Sequence, residues 1–69
     1  EAGGLRPAAA NGANEAAVAL FLEEKIPFLK IGELVAEAAE RQTADPVSSL
    51  EAIWEADRAA RAFVRERAG

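Results

Sequence analysis

Apolar residues recur at helical spacing in three separate stretches of this chain, and nowhere do they alternate in the two-residue rhythm of a strand. In the first stretch Ala17, Val18, Phe21 and Leu22 form a stripe that Leu20 widens. In the second, Ile31, Leu34, Val35, Ala38 and Ala39 follow i, i+3, i+4 spacing, with Glu33, Glu37 and Glu40 on the opposite side. In the third, Leu50, Ile53, Trp54, Ala60, Phe63 and Val64 share a face edged by Ala56 and Ala59. Pro27 breaks the first stretch from the second, because it lacks a backbone donor and forces a corner. The segment 42–46, ending in Pro46, separates the second from the third. The pattern predicts an all-α chain: a small three-helix bundle with helices over 12–24, 30–41 and 49–67, forming one domain over 1–69.

Residue chemistry suggests where these helices begin. Asn11 is a good N-cap, and Glu15 places a negative charge in the first turn, where it complements the helix dipole. Pro7 favours an extended lead-in, and residues 1–10 lack apolar periodicity. Gly3-Gly4 suits the left-handed end of a preceding helix, so the natural chain is expected to extend upstream. Ile26 and Phe28 flank Pro27 and are expected to plug the space between helices. Ser48-Ser49-Leu50-Glu51 reads as a capping box in which the Ser48 hydroxyl accepts from the Glu51 amide, with Val47 placed for a hydrophobic staple. Asp57 and Arg61, one turn apart, can pair. Asn14 lies one turn before Val18 at the edge of the first stripe, where an amide needs a partner. It either ties the helix start to another segment of a parent protein or serves a local turn.

At 69 residues the chain buries a modest fraction of its surface and has little stability to spare. It begins at Glu1 and holds no Met, which reads as a fragment or a processed product. With no cysteine there is neither disulfide nor thiolate chemistry. A net charge of −4 and a pI of about 4.7 argue against nucleic acid. Arg58, Arg61, Arg65 and Arg67 gather near the end but alternate with Asp57 and Glu66, as on a solvated helix. No apolar run approaches the ~20 residues of a membrane span, and no signal-peptide pattern is present, so an intracellular soluble setting is expected.

Little here resembles a reactive centre. Glu33, Glu37 and Glu40 share a face, and Glu23 and Glu24 are adjacent, but carboxylate metal sites in bundles use inward Glu with a Glu-x-x-His pattern, and the chain has no His. These glutamates read as a solvated face. Ser48 and Ser49 have no base to activate them and no G-x-S-x-G setting. A carrier protein would attach its arm to a serine at a helix start, but Ser48-Ser49-Leu50 departs from the usual Asp-Ser-Leu and opens the last helix. Gly3, Gly4 and Gly12 fit no phosphate-loop pattern. An anion at the first helix start, helped by Arg6, would be opposed by Glu15. Trp54 reads as core or domain-interface packing whose indole N–H needs a partner.

One run does carry a resemblance. Gly3-Gly4, Pro7, Asn11-Gly12-Ala13-Asn14-Glu15, the apolar run Val18 to Leu22, Lys25-Ile26, Phe28 and Ile31 follow one another as in the C-terminal helical domain of 1-deoxy-D-xylulose 5-phosphate reductoisomerase. Ala56-Asp57-Arg58-Ala59-Ala60-Arg61 is similar to the polar helical tail of that family, so the resemblance covers essentially the whole chain. Gly12 stands where that family usually has Ala and should weaken the first helical turn by up to ~1 kcal/mol. Ala9, Ala10 and Ala16 stand where bulkier apolar residues are common.

The resemblance implies a parent enzyme that rearranges 1-deoxy-D-xylulose 5-phosphate and reduces the product with NADPH to 2-C-methyl-D-erythritol 4-phosphate, for isoprenoid synthesis. It implies a divalent cation, Mg²⁺ or Mn²⁺, a homodimeric parent, and a cytoplasmic location, or a plastid one in a plant. The cofactor, metal and phosphate ligands of the family lie in earlier domains. No catalytic, cofactor-binding or metal-binding residue is therefore expected in this segment, and the chain alone should be inactive. Asn11, Asn14, Glu15, Phe28 and Ile31 are its structural signature. Its expected role is to pack on the catalytic domain of the same chain, completed by a helix upstream of Glu1. The competing expectation is a free-standing helical protein-interaction module, which would leave an apolar stripe unpaired in the same way.

Overall fold

The computed structural model describes residues 5–42 and 49–68, and its three helices are α1 (Leu5–Leu22), α2 (Phe28–Glu40) and α3 (Leu50–Ala68). The all-α expectation holds, with no strand among the described residues. The Gly3-Gly4 helix end, the Val47 staple and the Ser48 cap lie outside those residues.

The first helix begins well before the expected position 12. Pro7 is not an extended lead-in: it sits in the first turn of α1, where its missing N–H would have no helical partner in any case. Ala8, Ala9 and Ala10 then carry the helix with the highest intrinsic propensity of any residue type. Asn11 is therefore not an N-cap but an exposed residue in the middle of the helix. The local preference of Asn for a helix start loses to burial of Ala9 and Ala13 on the core face.

α1 also ends two residues early, at Leu22 rather than position 24. The Lys25 amide donates to the Leu20 carbonyl at 2.9 Å and the Glu24 amide to the Phe21 carbonyl at 2.9 Å, with Glu24 at φ 64°. This is the Schellman arrangement, built here on a glutamate where glycine is usual. Pro27 then occupies the N-cap of α2 in extended conformation, φ −75° and ψ 159°, and the Lys30 amide donates to its carbonyl at 3.0 Å. α2 accordingly opens at Phe28, two residues before the expected start. At α3 the cap is Ser49, whose Oγ accepts from the Ala52 amide at 3.1 Å.

The helices run up, down and up. Gly12 of α1 lies against Asp57 of α3, and Glu15 meets Arg61 one turn further along both, so α1 and α3 are parallel. α1 packs on both partners, while α2 and α3 meet along a shorter seam. The faces turned inward are made of small residues. Ala9, Gly12, Ala13, Ala16 and Ala17 are the buried residues of α1, and Ala56, Ala60 and Val64 those of α3. Leu34 and Val64 are the largest fully buried side chains, and Ile26 joins the core from the corner as expected. Leu50 and Phe28 depart from expectation, at 68% and 66% exposed; Trp54, 63% exposed, is not in the core, which leaves the domain-interface alternative; Leu22 and Leu29 are barer still. Small residues thus occupy the inward faces of α1 and α3, and the large apolar groups named above stay outside.

Candidate functional site

A side-chain network that joins elements far apart in sequence lies on the flank where α1 meets α3. The Arg61 Nε donates to Asp57 Oδ2 at 2.9 Å, and its second nitrogen donates to Glu15 Oε1 at 2.7 Å. The Asp57 pairing was legible from i, i+4 spacing; Glu15, 46 residues away in sequence, was not. The Asp57 hydrogen bond and then that of Glu15 hold the Arg61 pKa above its ordinary value. A raised pKa on a base contributes stability that is lost only as pH climbs through it, so no alkaline pH near neutrality loosens this joint.

Gly12 makes the joint possible. A Cβ placed on it would meet the Asp57 carboxylate and lie 2.9 Å from the Asp57 carbonyl oxygen. The glycine that weakens the helix locally is thus a point where α3 packs directly against α1.

Helical spacing extends the flank along both elements. Asn11, Glu15, Val18 and Leu22 follow one another at four, three and four residues on α1. On α3, Leu50, Trp54, Arg58, Arg61 and Arg65 do so at four, four, three and four. The Glu15–Arg61 contact sets these two stripes side by side. Asn14 borders the first stripe and is exposed, not at the edge of the core. Among the described residues neither Asn11 nor Asn14 makes a side-chain hydrogen bond. Each costs the helix up to ~0.7 kcal/mol relative to Ala, a cost that no side-chain hydrogen bond among the described residues offsets.

The other signature residues are scattered. Phe28 meets Phe21 edge-on at the corner, with ring centroids 5.6 Å apart, and Ile31 is half-buried against the core. On the α2–α3 seam the guanidinium carbons of Arg41 and Arg67 lie 4.5 and 5.1 Å from the centre of the Phe63 ring. A shallow cavity of about 120 Å³ beside them is lined by Ala38, Arg41, Gln42, Ala59, Ala60 and Phe63.

The donor chemistry does not suit a metal. Glu37 is turned to Arg67 at 3.3 Å and Glu33 to Lys30 at 3.4 Å, and no three acidic residues converge among the described residues. No described helix is long and apolar enough to cross a membrane. What the arrangement can do is present a surface: an apolar and amide-bearing flank on a small alanine-rich core.

The sequence profile of the DXP reductoisomerase C-terminal domain matches residues 1–63. The 1-deoxy-D-xylulose 5-phosphate reductoisomerase of Rippkaea orientalis is 57% identical over 61 residues, 86% of this chain and 15% of the relative. That of Thermosynechococcus vestitus is 51% identical over 69 residues, 97% of this chain and 17% of the relative. That of Pseudomonas putida (strain W619) is 42% identical over 66 residues, 96% and 17%. No solved structure matches the chain. The chain spans about one sixth of the length of these curated relatives, at 15–17% of each. With the profile covering all but its last residues, the chain belongs to the DXP reductoisomerase C-terminal domain family.

Proposed function

We propose that this chain is the supporting C-terminal domain, over 1–69, of an NADPH-dependent enzyme that converts 1-deoxy-D-xylulose 5-phosphate to 2-C-methyl-D-erythritol 4-phosphate in isoprenoid biosynthesis. The parent is a homodimer that uses Mg²⁺ or Mn²⁺ and works in the cytoplasm, or in a plastid in a plant. The chemistry belongs to the rest of that chain, and this segment supplies no catalytic, cofactor-binding or metal-binding residue. Asn11, Asn14, Glu15, Phe28 and Ile31 serve as structural residues.

The observation that carries this reading is the inverted distribution of apolar side chains. Alanines fill most of the core, while Leu22, Phe28, Leu29, Leu50 and Trp54 are all more than 60% exposed. Scattered apolar residues are ordinary on a surface, but five large ones on so small a domain, grouped at the α1–α2 corner and at the start of α3, mark surface made to be covered. An interaction module standing alone would show the same side chains. Membership in a family whose relatives are about six times longer favours a domain that packs on its own chain.

The domain acts through position. A reaction that needs atoms held to fractions of an ångström depends on a scaffold that does not shift, and a bundle seated on the catalytic domain restricts that domain's motion. NADPH oxidation in the presence of the sugar phosphate tests the assignment. The parent enzyme is expected to turn over, and the 69-residue chain alone to match the blank. Turnover by the isolated chain would overturn the supporting role.

A further inference from the structure

The five exposed apolar side chains do not lie on one face. Phe28 and Leu29 sit at the α1–α2 corner, whereas Leu50 and Trp54 stand one turn apart on the α1–α3 flank, near the opposite end of the bundle. The flank differs from the corner in its polar surroundings. Arg58 and Arg65 prolong the Leu50–Trp54 stripe and make no ion pair among the described residues. Asn11 and Asn14 stand exposed on and beside the neighbouring stripe of α1 without partners there. Tryptophan and arginine are the residues that most often anchor interfaces, and once such a face is covered an indole N–H and two amides can each bond to the covering surface in place of water.

We propose that the α1–α3 flank is the face by which this domain docks on the rest of its own parent chain. Trp54 and Leu50 enter an apolar surface bordered by carboxylates that meet Arg58 and Arg65, and the Asn11 and Asn14 amides bond to main chain on that surface. The inference rests on the supporting-domain reading and names the face that reading leaves open. Its occupant follows from length: some five sixths of a relative's chain lies outside this segment and is covalently tethered to it. Tethering raises the effective concentration of that occupant to about the millimolar range, so a shallow face suffices.

The test is hydroxyl-radical footprinting of the intact full-length enzyme, with labelling read residue by residue. Fully buried Leu34 serves as the floor and Leu29, 80% exposed, as a reference at the corner, each normalised to the urea-unfolded protein. Labelling of Trp54 and Leu50 is expected to fall to the level of Leu34. If both remain labelled while Phe28 and Leu29 are protected, the flank is the wrong face and the supporting-domain reading stands on the corner. If all four remain labelled, neither the flank nor the corner is covered and the docking proposal falls. Protection of Trp54 that disappears on dilution assigns the flank to a second copy and overturns the proposal.

Discussion

Gly12 and Glu24 are each the less obvious residue for their position, and opposite substitutions should reveal why. Alanine is the better helix former, so Gly12→Ala would gain up to ~1 kcal/mol in an isolated helix. Here the new methyl meets the Asp57 carboxylate and, at 2.9 Å, its carbonyl oxygen. Overpacking of this kind costs about 1–3 kcal/mol, because backbone gives less readily than a side-chain end. A net loss is expected in urea unfolding, together with a weaker dependence of stability on salt as Asp57 is pushed from Arg61. Glu24 shows the converse. Its φ of 64° is one an L side chain adopts at a cost, and glycine does not pay it. Glu24→Gly should therefore raise stability by about 1 kcal/mol, even though glycine elsewhere in a helix destabilises. A fall in the urea midpoint would contradict the Schellman assignment.

Among the elements, α2 has the strongest amphipathic pattern and the fewest deep anchors. Leu34 and Ala38 are its buried residues, and Leu34 alone is large. Leu34→Ala should cost about 2–5 kcal/mol and unfold α2 first, seen as loss of amide-exchange protection across 28–40 before α1 and α3. The second helix was also the most legible from sequence, because Ile31, Leu34, Val35 and Ala38 repeat at helical spacing with glutamates opposite. The first was legible in kind but not in extent. Asn11 looks like a cap and Pro7 like a break when each is read locally, and only burial of Ala9 and Ala13 against other helices extends the helix back to Leu5. On α3 the apolar stripe mixed two populations. Val64 and Ala60 face in, and Leu50 and Trp54 face out, because hydrophobicity alone does not say whether the covering surface belongs to the same domain. The Glu15–Arg61 joint was hidden for a related reason: spacing within one helix exposes i, i+4 partners but is silent about contacts between helices.

At the scale of the molecule, the bundle is long and narrow, 37 × 17 × 15 Å, with an alanine-rich interior and its bulkiest apolar groups outside. Such a construction is poorly suited to stand alone and well suited to be one layer of something larger. Its family membership supplies the larger thing: relatives in which this segment is about one sixth of the chain. The measurement that tests this most directly is the intact mass of the polypeptide carrying the segment in its source cells. It would be captured with an antibody to the α3 region and assayed in the same eluate for NADPH oxidation with 1-deoxy-D-xylulose 5-phosphate. The account predicts a species several times heavier than 7.3 kDa that turns over the sugar phosphate. A species of 7.3 kDa with no turnover would contradict it and return the chain to the class of free-standing interaction modules.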